Sequence, residues 1–469
     1  MATKALDKHE VDLTKGPIFS TLIKFAIPFI FANVLTLLFH ATDIATLRFM
    51  VGGQAVAAVS ATGTLTSLFL SFFMGFSAGA SVVLSKCVGA KDINKARRVV
   101  GTAISLALTA GVFSMFVGWF GAETFLTWVG CPKSLLQNAT KYLRIYLLGA
   151  PITLFYNLGA GILRAVGDSL RPMIYLMISG VANVCLNIFF IAVFNMTVEG
   201  VALGTLASQL ISSVLILIAI RKSNGYSRLE YKFVKFYKKE LSDILKVGLP
   251  TAIQSSLFAI SNVLIASTVN TFGEVAIEGN GGAGQIDGFI YTSGNAIANA
   301  SMSVISQSVG GKNMARVKKV ILTAILMVTC VQFTVGVIAY LCARPLLSLF
   351  VESGGAFVFG KQRLFIYGFF YFMCGIMEVF QLAMRAMGKS TTSMVLALFF
   401  ACVLRIVWLK TFYLLNPTFI MIFISYPVSW ALNIIAHLIM IIPLIKKLER
   451  KFAKEKELQT KEEQINQAV

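Results

Sequence analysis

The chain reads SKCVGAKDINKARRVVGTAI at residues 85–104 and SQSVGGKNMARVKKVILTAI at residues 306–325. The two stretches align without a gap at an offset of 221 positions, close to half of the 469 residues. The register is fixed by matched positions: Ser85 with Ser306, Gly89 with Gly310, Lys91 with Lys312, and Arg97-Arg98 with Lys318-Lys319. Such a match at one long period indicates an internal repeat.

The repeat extends well beyond this stretch. GILRAVGDSLRPM at residues 161–173 aligns with AMRAMGKSTTSM at residues 383–394 at the same offset. Near the start of each half, KFAIPF aligns with KVGLPT, and Pro28 meets Pro250 after a slip of one residue. Three landmarks in register indicate that the chain consists of two copies of one half-length unit.

Composition indicates the environment of the chain. Hydrophobic residues make up 57% and charged residues 13%, and the mean hydropathy is +0.78. Soluble domains are about one quarter charged, so this composition is typical of a membrane protein.

An apolar run of about 20 residues crosses a bilayer as a helix. We predict twelve such runs, six in each half: 20–46, 55–84, 97–120, 140–163, 172–194, 198–220, 242–271, 277–308, 318–342, 364–386, 393–415 and 420–445.

The net charge of +20 would suit nucleic acid unless the basic residues collect on one side of a bilayer. In the predicted topology, the basic residues do collect on one side of the bilayer. One side holds Lys4, Lys8, Lys15, Lys91, Lys95, Arg97, Arg98, Arg164, Arg171, the cluster at 221–246, Lys312, Arg316, Lys318, Lys319, Arg385, Lys389 and the tail from Lys446. The other side has little beyond Lys133, Lys361 and Arg363. This positive-inside pattern predicts cytoplasmic termini in a plasma membrane (the bacterial cytoplasmic membrane) and no nucleic-acid partner.

Six spans return the chain to its starting side, so both halves should have the same orientation. We expect an all-α integral membrane protein with two six-helix lobes related by a pseudo-twofold axis along the membrane normal, with a cavity between them. The predicted segments are a cytoplasmic N-terminal segment (1–19), an N-lobe (20–220), a cytoplasmic linker (221–241), a C-lobe (242–446) and a cytoplasmic tail (447–469). The aromatic and basic stretch 221–246 suits an interfacial amphipathic helix or a solvated linker, and the tail suits a disordered extension.

This duplicated architecture favours a secondary transporter, whose two bundles move around a central site. The chain contains no GxxxxGK[ST] loop for ATP and no channel filter motif, and its cysteines lack metal or CxxC spacing. The histidines, at positions 9, 40 and 437, are scattered. We therefore expect no enzyme activity, no cofactor and no structural metal, and a monomer whose transport is driven by an ion gradient.

The motifs resemble those of the multidrug and toxic compound extrusion (MATE) family. The resemblance rests on GILRAVGDSLRPM and AMRAMGKS, the VGAKD turn after helix 2, GLP at the start of helix 7, and an aspartate late in helix 1 within FANVLTLLFHATDIA. It covers roughly residues 15–446. It implies two six-helix lobes in a V shape and export of bulky, often cationic, amphipathic compounds. In exchange, Na⁺ or H⁺ would move inward.

Three carboxylates fall well inside apolar runs: Asp43, Asp287 and Glu378. A charge at the bilayer centre costs about 2.5–3.5 kcal/mol on insertion scales, so each needs a cavity, a partner or a proton. The structural alternative to a functional role is pairing with a buried base such as Arg405.

The resemblance implies that Asp43, Asn183, Asn187 and Thr205 form an N-lobe cation site. Some family members have a second aspartate where this chain has Asn187, so this site would carry one formal charge. One carboxylate with amide and hydroxyl oxygens suits Na⁺ or simple protonation. His40, one turn before Asp43, is either a proton relay or a helix-packing residue.

The acids of the C-lobe are candidates for substrate binding. Other branches of the family have a glutamate in helix 7, and SSLFAISN here contains no acid. We predict that Asp287 and Glu378 instead attract cationic drugs, and that polar residues of helices 7 and 8 line the substrate cavity: Gln254, Asn262, Asn295 and Asn299. The alternative for the asparagines is helix–helix hydrogen bonding within the membrane.

Two further features complete the hypothesis. Pro28 and Pro250 are predicted hinges, because a proline removes a backbone hydrogen bond from its helix. The rival function is a flippase or exporter of a lipid-linked saccharide or another lipid-like substrate, which Arg405 and Lys410 in helix 11 favour. A membrane sensor is a further alternative; it would need a ligand-binding or signalling domain, and we expect the tail to be only a short charged extension.

Overall fold

A computed structural model describes residues 10–352 and 354–468, and this part of the chain is helical with no β-strand. It divides into two compact units. The first comprises Ser20–Leu264 with the segment ending at Lys15, and the second comprises Gly16–Phe19 with the chain from Ile265 onward. The predicted all-α membrane fold is confirmed, whereas Lys4, Lys8 and His9 lie outside the described residues.

The first unit contains eight helices and most of a ninth. They are α1 (Ile18–Met50), α2 (Gly53–Ala61), α3 (Gly63–Gly89), α4 (Ile93–Trp128), α5 (Lys133–Leu148), α6 (Ala150–Ala165), α7 (Leu170–Phe194), α8 (Val198–Lys222) and α9 (Lys238–Asn270). Between α8 and α9 the described backbone holds only a short 3₁₀ turn, Tyr231–Phe233. The predicted interfacial helix is therefore absent from residues 223–237, and helical structure resumes only at Lys238.

The second unit follows the same pattern of long helices. They are α10 (Glu274–Gly310), α11 (Met314–Leu341), α12 (Ala343–Leu347), α13 (Gly354–Ala386), α14 (Ser390–Leu398), α15 (Leu404–Lys410), α16 (Phe412–Leu415) and α17 (Phe419–Ala468). A π-helical segment, Phe399–Val403, joins α14 to α15.

Ten helical segments of the described chain are long and apolar enough to cross a membrane. The bent pair formed by α5 and α6, with an angle of 48° between them, makes an eleventh if it counts as one span. The remaining predicted run, 277–308, lies in α10, where GNGGAGQIDG lowers the hydropathy of the first half. The protein is thus a multi-pass membrane protein with ten or eleven spans of clear apolar composition.

The internal repeat is visible in the backbone. Lys91 and Lys312 both have φ of 57°, in the left-handed region that few non-glycine residues occupy. The next residue in each copy, Asp92 or Asn313, caps a helix by accepting a hydrogen bond from the backbone N–H three residues later, at 2.9 and 3.0 Å. The two copies therefore share one turn conformation as well as one sequence pattern.

The second landmark repeats in the same way. Gly167 and Gly388 end the matched RAxG turns, and each has φ of 87°. Glycine takes this conformation without the steric cost that a Cβ imposes, which explains why both copies place glycine there.

Small residues let the helices approach closely. A Cβ on Gly75 of α3 would stand 2.7 Å from the backbone nitrogen of Ala252 in α9. In the second unit, a Cβ on Gly368 of α13 would stand 2.7 Å from the carbonyl oxygen of Gly336 in α11. Such close backbone contacts are typical of membrane helices, which gain stability from packing rather than from the hydrophobic effect.

The segment before α1 is anchored to the first unit. Glu10 is buried, and its carboxylate accepts hydrogen bonds from the backbone N–H groups of Tyr226 and Ser227 at 3.1 and 3.0 Å and from the Ser227 hydroxyl at 2.8 Å. The backbone N–H of Val11 donates to the carbonyl of Val166 at 2.9 Å. These bonds fix the position at which the chain enters α1.

The charged tail is ordered, contrary to the prediction. α17 continues to Ala468, leaving only Val469 outside the described residues. Two ion pairs in the second unit hold it, Lys312 with Glu455 at 2.7 Å and Lys318 with Glu449 at 2.6 Å. The expectation of disorder was wrong because two acidic residues of the tail, Glu449 and Glu455, form ion pairs with lysines of the repeated stretch 306–325.

Candidate functional site

The first candidate site begins with Asp43 near the end of α1. Its side chain is half-buried in the first unit. Oδ1 of Asp43 accepts a hydrogen bond from Nδ2 of Asn187 at 2.6 Å. An amide donating to an ionised carboxylate makes a charge-assisted bond, which is stronger than a neutral one. This bond connects α1 to α7.

Two asparagines on α7 extend the site along one face. Asn183 and Asn187 are four residues apart, so their side chains lie one above the other on the helix. Both are buried, with exposed fractions of 5% and 0%. Nδ2 of Asn187 also lies 3.5 Å from Oδ1 of Asn183. The spacing seen in the sequence therefore does place the two amides together.

The third helix of the site is α8. Nδ2 of Asn183 donates to Oγ1 of Thr205 at 3.3 Å. Gly204 precedes it, and a Cβ there would stand 3.1 Å from Cγ and from the backbone nitrogen of Asn187. Because glycine has no side chain, α8 can approach α7 closely enough to close the cluster. The structure therefore brings together all four residues, Asp43, Asn183, Asn187 and Thr205.

The arrangement suits a small hard cation. Oδ1 of Asn187 is buried and has no hydrogen-bond donor among the described residues. A buried acceptor without a partner carries a free-energy cost of about 1–3 kcal/mol, which a bound cation or water would remove. The site offers one carboxylate together with amide and hydroxyl oxygens, the ligand type that hard cations prefer. His40 lies on the same helix with an exposed side chain.

The second unit carries a polar stripe along α10. Asp287, Tyr291, Asn295 and Asn299 occur at intervals of four residues and so share one helix face. Nδ2 of Asn295 donates to the Tyr291 hydroxyl at 3.2 Å, and Nδ2 of Asn299 donates to Oδ1 of Asn295 at 3.1 Å. Sequence reasoning did not include Tyr291, although the four-residue spacing would have found it.

Glu378 of α13 meets the middle of this stripe. Its two carboxylate oxygens lie 3.4 and 3.3 Å from Nδ2 of Asn295. Its side chain is half-buried, and buried Arg385 lies two turns further along the same helix. Glu378 and Asn295 therefore form the core of a second polar cluster.

Asp287 has a different environment. It is buried, and its Oδ2 pairs with Nε and Nη2 of Arg363 at 2.8 and 2.5 Å. The same guanidinium donates to Oδ1 of Asn280 at 2.5 Å and lies over the ring of Tyr367 at 5.1 Å. The structural alternative, pairing with a buried base, therefore holds for Asp287, with Arg363 as the base in place of Arg405. The predicted spans placed Arg363 in a loop. Arg363 instead lies inside α13, whose first turns extend beyond the apolar run.

Arg405 is buried at the start of α15, directly after the π-helical segment. Its Nε donates to Oγ of Ser429 at 2.9 Å, and its guanidinium lies 3.9 Å from the ring centre of Tyr426. No carboxylate oxygen of the described residues lies within 4.0 Å of its nitrogens. Aromatic faces stabilise a cation without neutralising its charge.

The other predicted residues are not members of these two clusters. Gln254 is buried in α9 within the first unit, whereas Glu378 and Asn295 belong to the second. Pro28 and Pro250 both lie inside uninterrupted helices, α1 and α9. The described residues contain no group of three or more His, Cys, Asp and Glu side chains suited to a metal ion.

Comparison with known protein families and sequences identifies relatives of this chain. The MatE family model matches residues 28–189 and 250–409, more than half of the chain, in two segments that follow the internal repeat. The probable multidrug resistance protein YpnP of Bacillus subtilis (strain 168) is 28% identical over 395 residues, which cover 84% of this chain and 88% of that protein.

Solved structures share the architecture. An outward-facing multidrug resistance MATE family transporter of the MOP superfamily superposes with a TM-score of 0.87 at 22% identity, covering 95% of this chain and 100% of that one. A MOP superfamily transporter from Pyrococcus furiosus, described as having a binding pocket of reverse polarity that suggests a different function, gives 0.85 at 22% identity, covering 97% and 100%. The chain therefore belongs to the MatE family, the multidrug and toxic compound extrusion proteins.

Proposed function

We propose that this protein is a secondary active multidrug exporter. It moves bulky cationic or amphipathic compounds outward in exchange for inward Na⁺ or H⁺, by alternating access. The names of its relatives support multidrug transport, and the site in the first unit supports ion coupling. The observation that carries the proposal is the Asp43–Asn187 bond beside a buried amide oxygen that has no donor among the described residues.

The proposed topology has twelve spans in two lobes, with both termini in the cytoplasm. Ten clear spans, the bent pair α5–α6 and α10 together make twelve. α10 has 37 residues, and at about 1.5 Å per residue it exceeds the hydrocarbon thickness of about 30 Å. In a cysteine-free background, single cysteines at Lys91, Arg228 and Lys312 should resist an impermeant external reagent, whereas those at Lys133 and Lys361 should react. External labelling at position 228 in intact cells would show that the orientation is the opposite of the proposed one.

Coupling in this proposal depends on the charge of Asp43. Antiport requires that the ion and the drug favour different conformations, so the ion must bind one state more tightly. A proton or Na⁺ on Asp43 removes an uncompensated charge from the membrane interior and weakens its bond to Asn187. α1 then moves relative to α7, bending near Pro28 where one backbone hydrogen bond is missing. The bound drug is released outward when this rearrangement closes its cavity.

Substrate attraction is assigned to Glu378. Its carboxylate accepts hydrogen bonds from the Asn295 amide, and the charge of buried Arg385 on the same helix offsets part of its charge, whereas Asp287 makes a close ion pair. Asp287 is already neutralised by Arg363 and so contributes little field of its own. A cationic drug would therefore be drawn to the Glu378–Asn295 cluster rather than to Asp287.

The proposal is tested by ethidium efflux from proteoliposomes that contain the full-length protein. A pH gradient and a Na⁺ gradient are imposed one at a time, with the membrane potential clamped. Efflux under one of the two gradients identifies the coupling ion. Absence of efflux under both, with a protein shown to be folded and inserted, would contradict the proposed function.

A second candidate function is transport of an anionic, lipid-linked saccharide or another lipid-like substrate. Arg405 favours it, because a buried guanidinium without a carboxylate partner among the described residues suits a phosphate or carboxylate group. The Pyrococcus furiosus transporter of the same fold is described as having a binding pocket of reverse polarity that suggests a different function, which supports this candidate. Flipping of a labelled anionic lipid that is lost in Arg405→Gln, without dye efflux in the unmodified protein, would favour this candidate.

A further inference from the structure

We propose that the N-terminal part of α9 binds an anionic phospholipid of the cytoplasmic leaflet, with the phosphate at Lys238 and Lys246 and an acyl chain along Leu245 and Leu249. The inference rests on the proposed orientation, which places the start of α9 at the cytoplasmic surface. It concerns a surface groove that is separate from both polar clusters.

The groove is a shallow, open hollow of about 460 Å³, and residues 238–250 of α9 alone line it. Its lining falls into two rows, and within each row the residues are four positions, about one helical turn, apart: Lys238, Ser242 and Lys246, and Leu241, Leu245 and Leu249. Positions spaced by three or four residues share one helix face, so a polar row and an apolar row run side by side. This pairing matches a molecule with a charged end and a long apolar chain.

The charge of the groove is unbalanced. The two carboxylates at the start of α9 pair with bases of α4: Glu240 with Arg98 at 2.8 Å, and Asp243 with Lys95 at 3.8 Å. Glu230, before α9, pairs with Arg97 at 3.0 Å and with Lys232 at 3.1 Å. Lys238, Lys239 and Lys246 are exposed, and among the described residues none has a carboxylate oxygen within 4.0 Å. The acids therefore stabilise the packing of α9 on α4 and leave the outer face positive.

Apolar side chains of the same stretch, residues 231–249, are also exposed. Tyr231 is 63% exposed, Phe236 45% and Leu249 42%. Aromatic and basic residues together are typical of the membrane–water interface, where the rings enter the acyl boundary and the bases meet lipid phosphates. Exposed apolar surface at this position therefore suits lipid rather than water.

The dimensions agree with one leaflet. From Lys238 to Leu249 the helix rises about 17 Å at 1.5 Å per residue, close to half of a hydrocarbon core of about 30 Å. The flexible stem of Lys246 can reach back toward the headgroup level. Pro250 ends the groove and removes the backbone donor that the carbonyl of Lys246 would otherwise receive. A bound lipid would thus contact α9 at its proposed hinge.

The test uses full-length protein in mild detergent and native mass spectrometry with added dioleoyl phosphatidylglycerol or dioleoyl phosphatidylcholine. We expect the unmodified protein to retain phosphatidylglycerol about tenfold or more in preference to phosphatidylcholine, since each lysine near an anionic lipid contributes separately. Lys238→Gln with Lys246→Gln should abolish the preference, and the double change to arginine should preserve it.

Lys222→Gln is the matched control, because Lys222 is an exposed lysine at the end of the preceding helix, outside the groove. It should leave the preference unchanged. A preference that survives in the Lys238/Lys246 glutamine variant, or that falls equally in the Lys222 variant, would overturn the proposal. Equal retention of dihexanoyl and dioleoyl phosphatidylglycerol would overturn the role of the apolar row. Lipid binding in detergent requires neither orientation nor transport, so its failure is distinguishable from failure of the proposed export function.

Discussion

The side-chain amide of Asn187 donates a 2.6 Å hydrogen bond to Oδ1 of Asp43 and so connects α7 to α1. The amide oxygen of the same Asn187 is buried and has no donor among the described residues. One side chain thus holds the carboxylate with its nitrogen and offers a free acceptor with its oxygen. A cation that enters the site would use this oxygen and would weaken the bond between the helices.

Replacement of the neutral oxygen ligands should distinguish Na⁺ from H⁺. Na⁺ needs several hard oxygens, whereas a proton needs only the carboxylate. We expect Asn183→Ala and Thr205→Ala to reduce efflux about tenfold if Na⁺ is coupled, equivalent to about 1.4 kcal/mol, and to have a small effect if H⁺ is coupled. Efflux at several Na⁺ concentrations measures this, and Thr205→Ser, which keeps the hydroxyl, should retain the Na⁺ dependence. A loss of equal size in Thr205→Ser would point to packing instead.

Neutralisation of Glu378 should change substrate selectivity. Glu378→Gln keeps the shape of the side chain and can still accept a hydrogen bond from Asn295, so the fold should persist. We expect efflux of cationic dyes to fall severalfold and efflux of neutral compounds to be unchanged, because only the cation gains from the carboxylate field. Parallel efflux assays with matched dyes test this. An equal loss for both classes would assign Glu378 to structure.

The Asp287–Arg363 pair should be structural. Removal of one partner leaves a buried charge, and such changes cost about 3–5 kcal/mol. Arg363→Gln alone should therefore lower the thermal unfolding temperature strongly, and Asp287→Asn combined with Arg363→Gln should recover much of the loss. Thermal unfolding of the purified variants measures this. If Arg363→Gln is as stable as the unmodified protein and loses only cation transport, Asp287 belongs to the substrate site after all.

The anchoring of the N-terminal segment gives a further stability prediction. Glu10→Ala removes the acceptor of the backbone N–H groups of Tyr226 and Ser227 and leaves buried donors without a partner. Each unsatisfied buried group costs about 1–3 kcal/mol. We expect a lower unfolding temperature together with faster proteolysis of the segment. Thr14→Ala, on the same segment, is the control and should have little effect.

Local patterns predicted those parts of the molecule that local chemistry determines. The repeat predicted paired turns, and Lys91 and Lys312 share one backbone conformation. The four-residue interval between Asn183 and Asn187 predicted a shared helix face. Turn conformation and helix periodicity depend on a few neighbouring residues, so the sequence alone contains this information.

The sequence did not predict which side chains of distant segments form pairs. Arg363 follows Asp287 by 76 positions, and their pairing depends on the rotation and depth of α10 against α13. Apolar composition marks where a helix lies in the membrane and says little about its rotation, so Arg405 was an equally reasonable partner. The same limit applies to Oδ1 of Asn187, whose lack of a donor depends on how α8 packs at Gly204.

Efflux by an Asp43→Asn variant tests whether the charge of Asp43 couples the ion gradient to export. The amide has the shape of the neutral acid and carries no charge, so it cannot be recharged when the ion leaves. In proteoliposomes, we expect Asp43→Asn to insert, to bind ethidium within a few-fold of the unmodified protein, and to show no efflux driven by either a pH or a Na⁺ gradient. Glu123→Gln, which changes an exposed carboxylate of α4 in the same unit, is the control and should transport normally. Full gradient-driven efflux by a well-inserted Asp43→Asn protein would show that Asp43 does not couple transport to the ion.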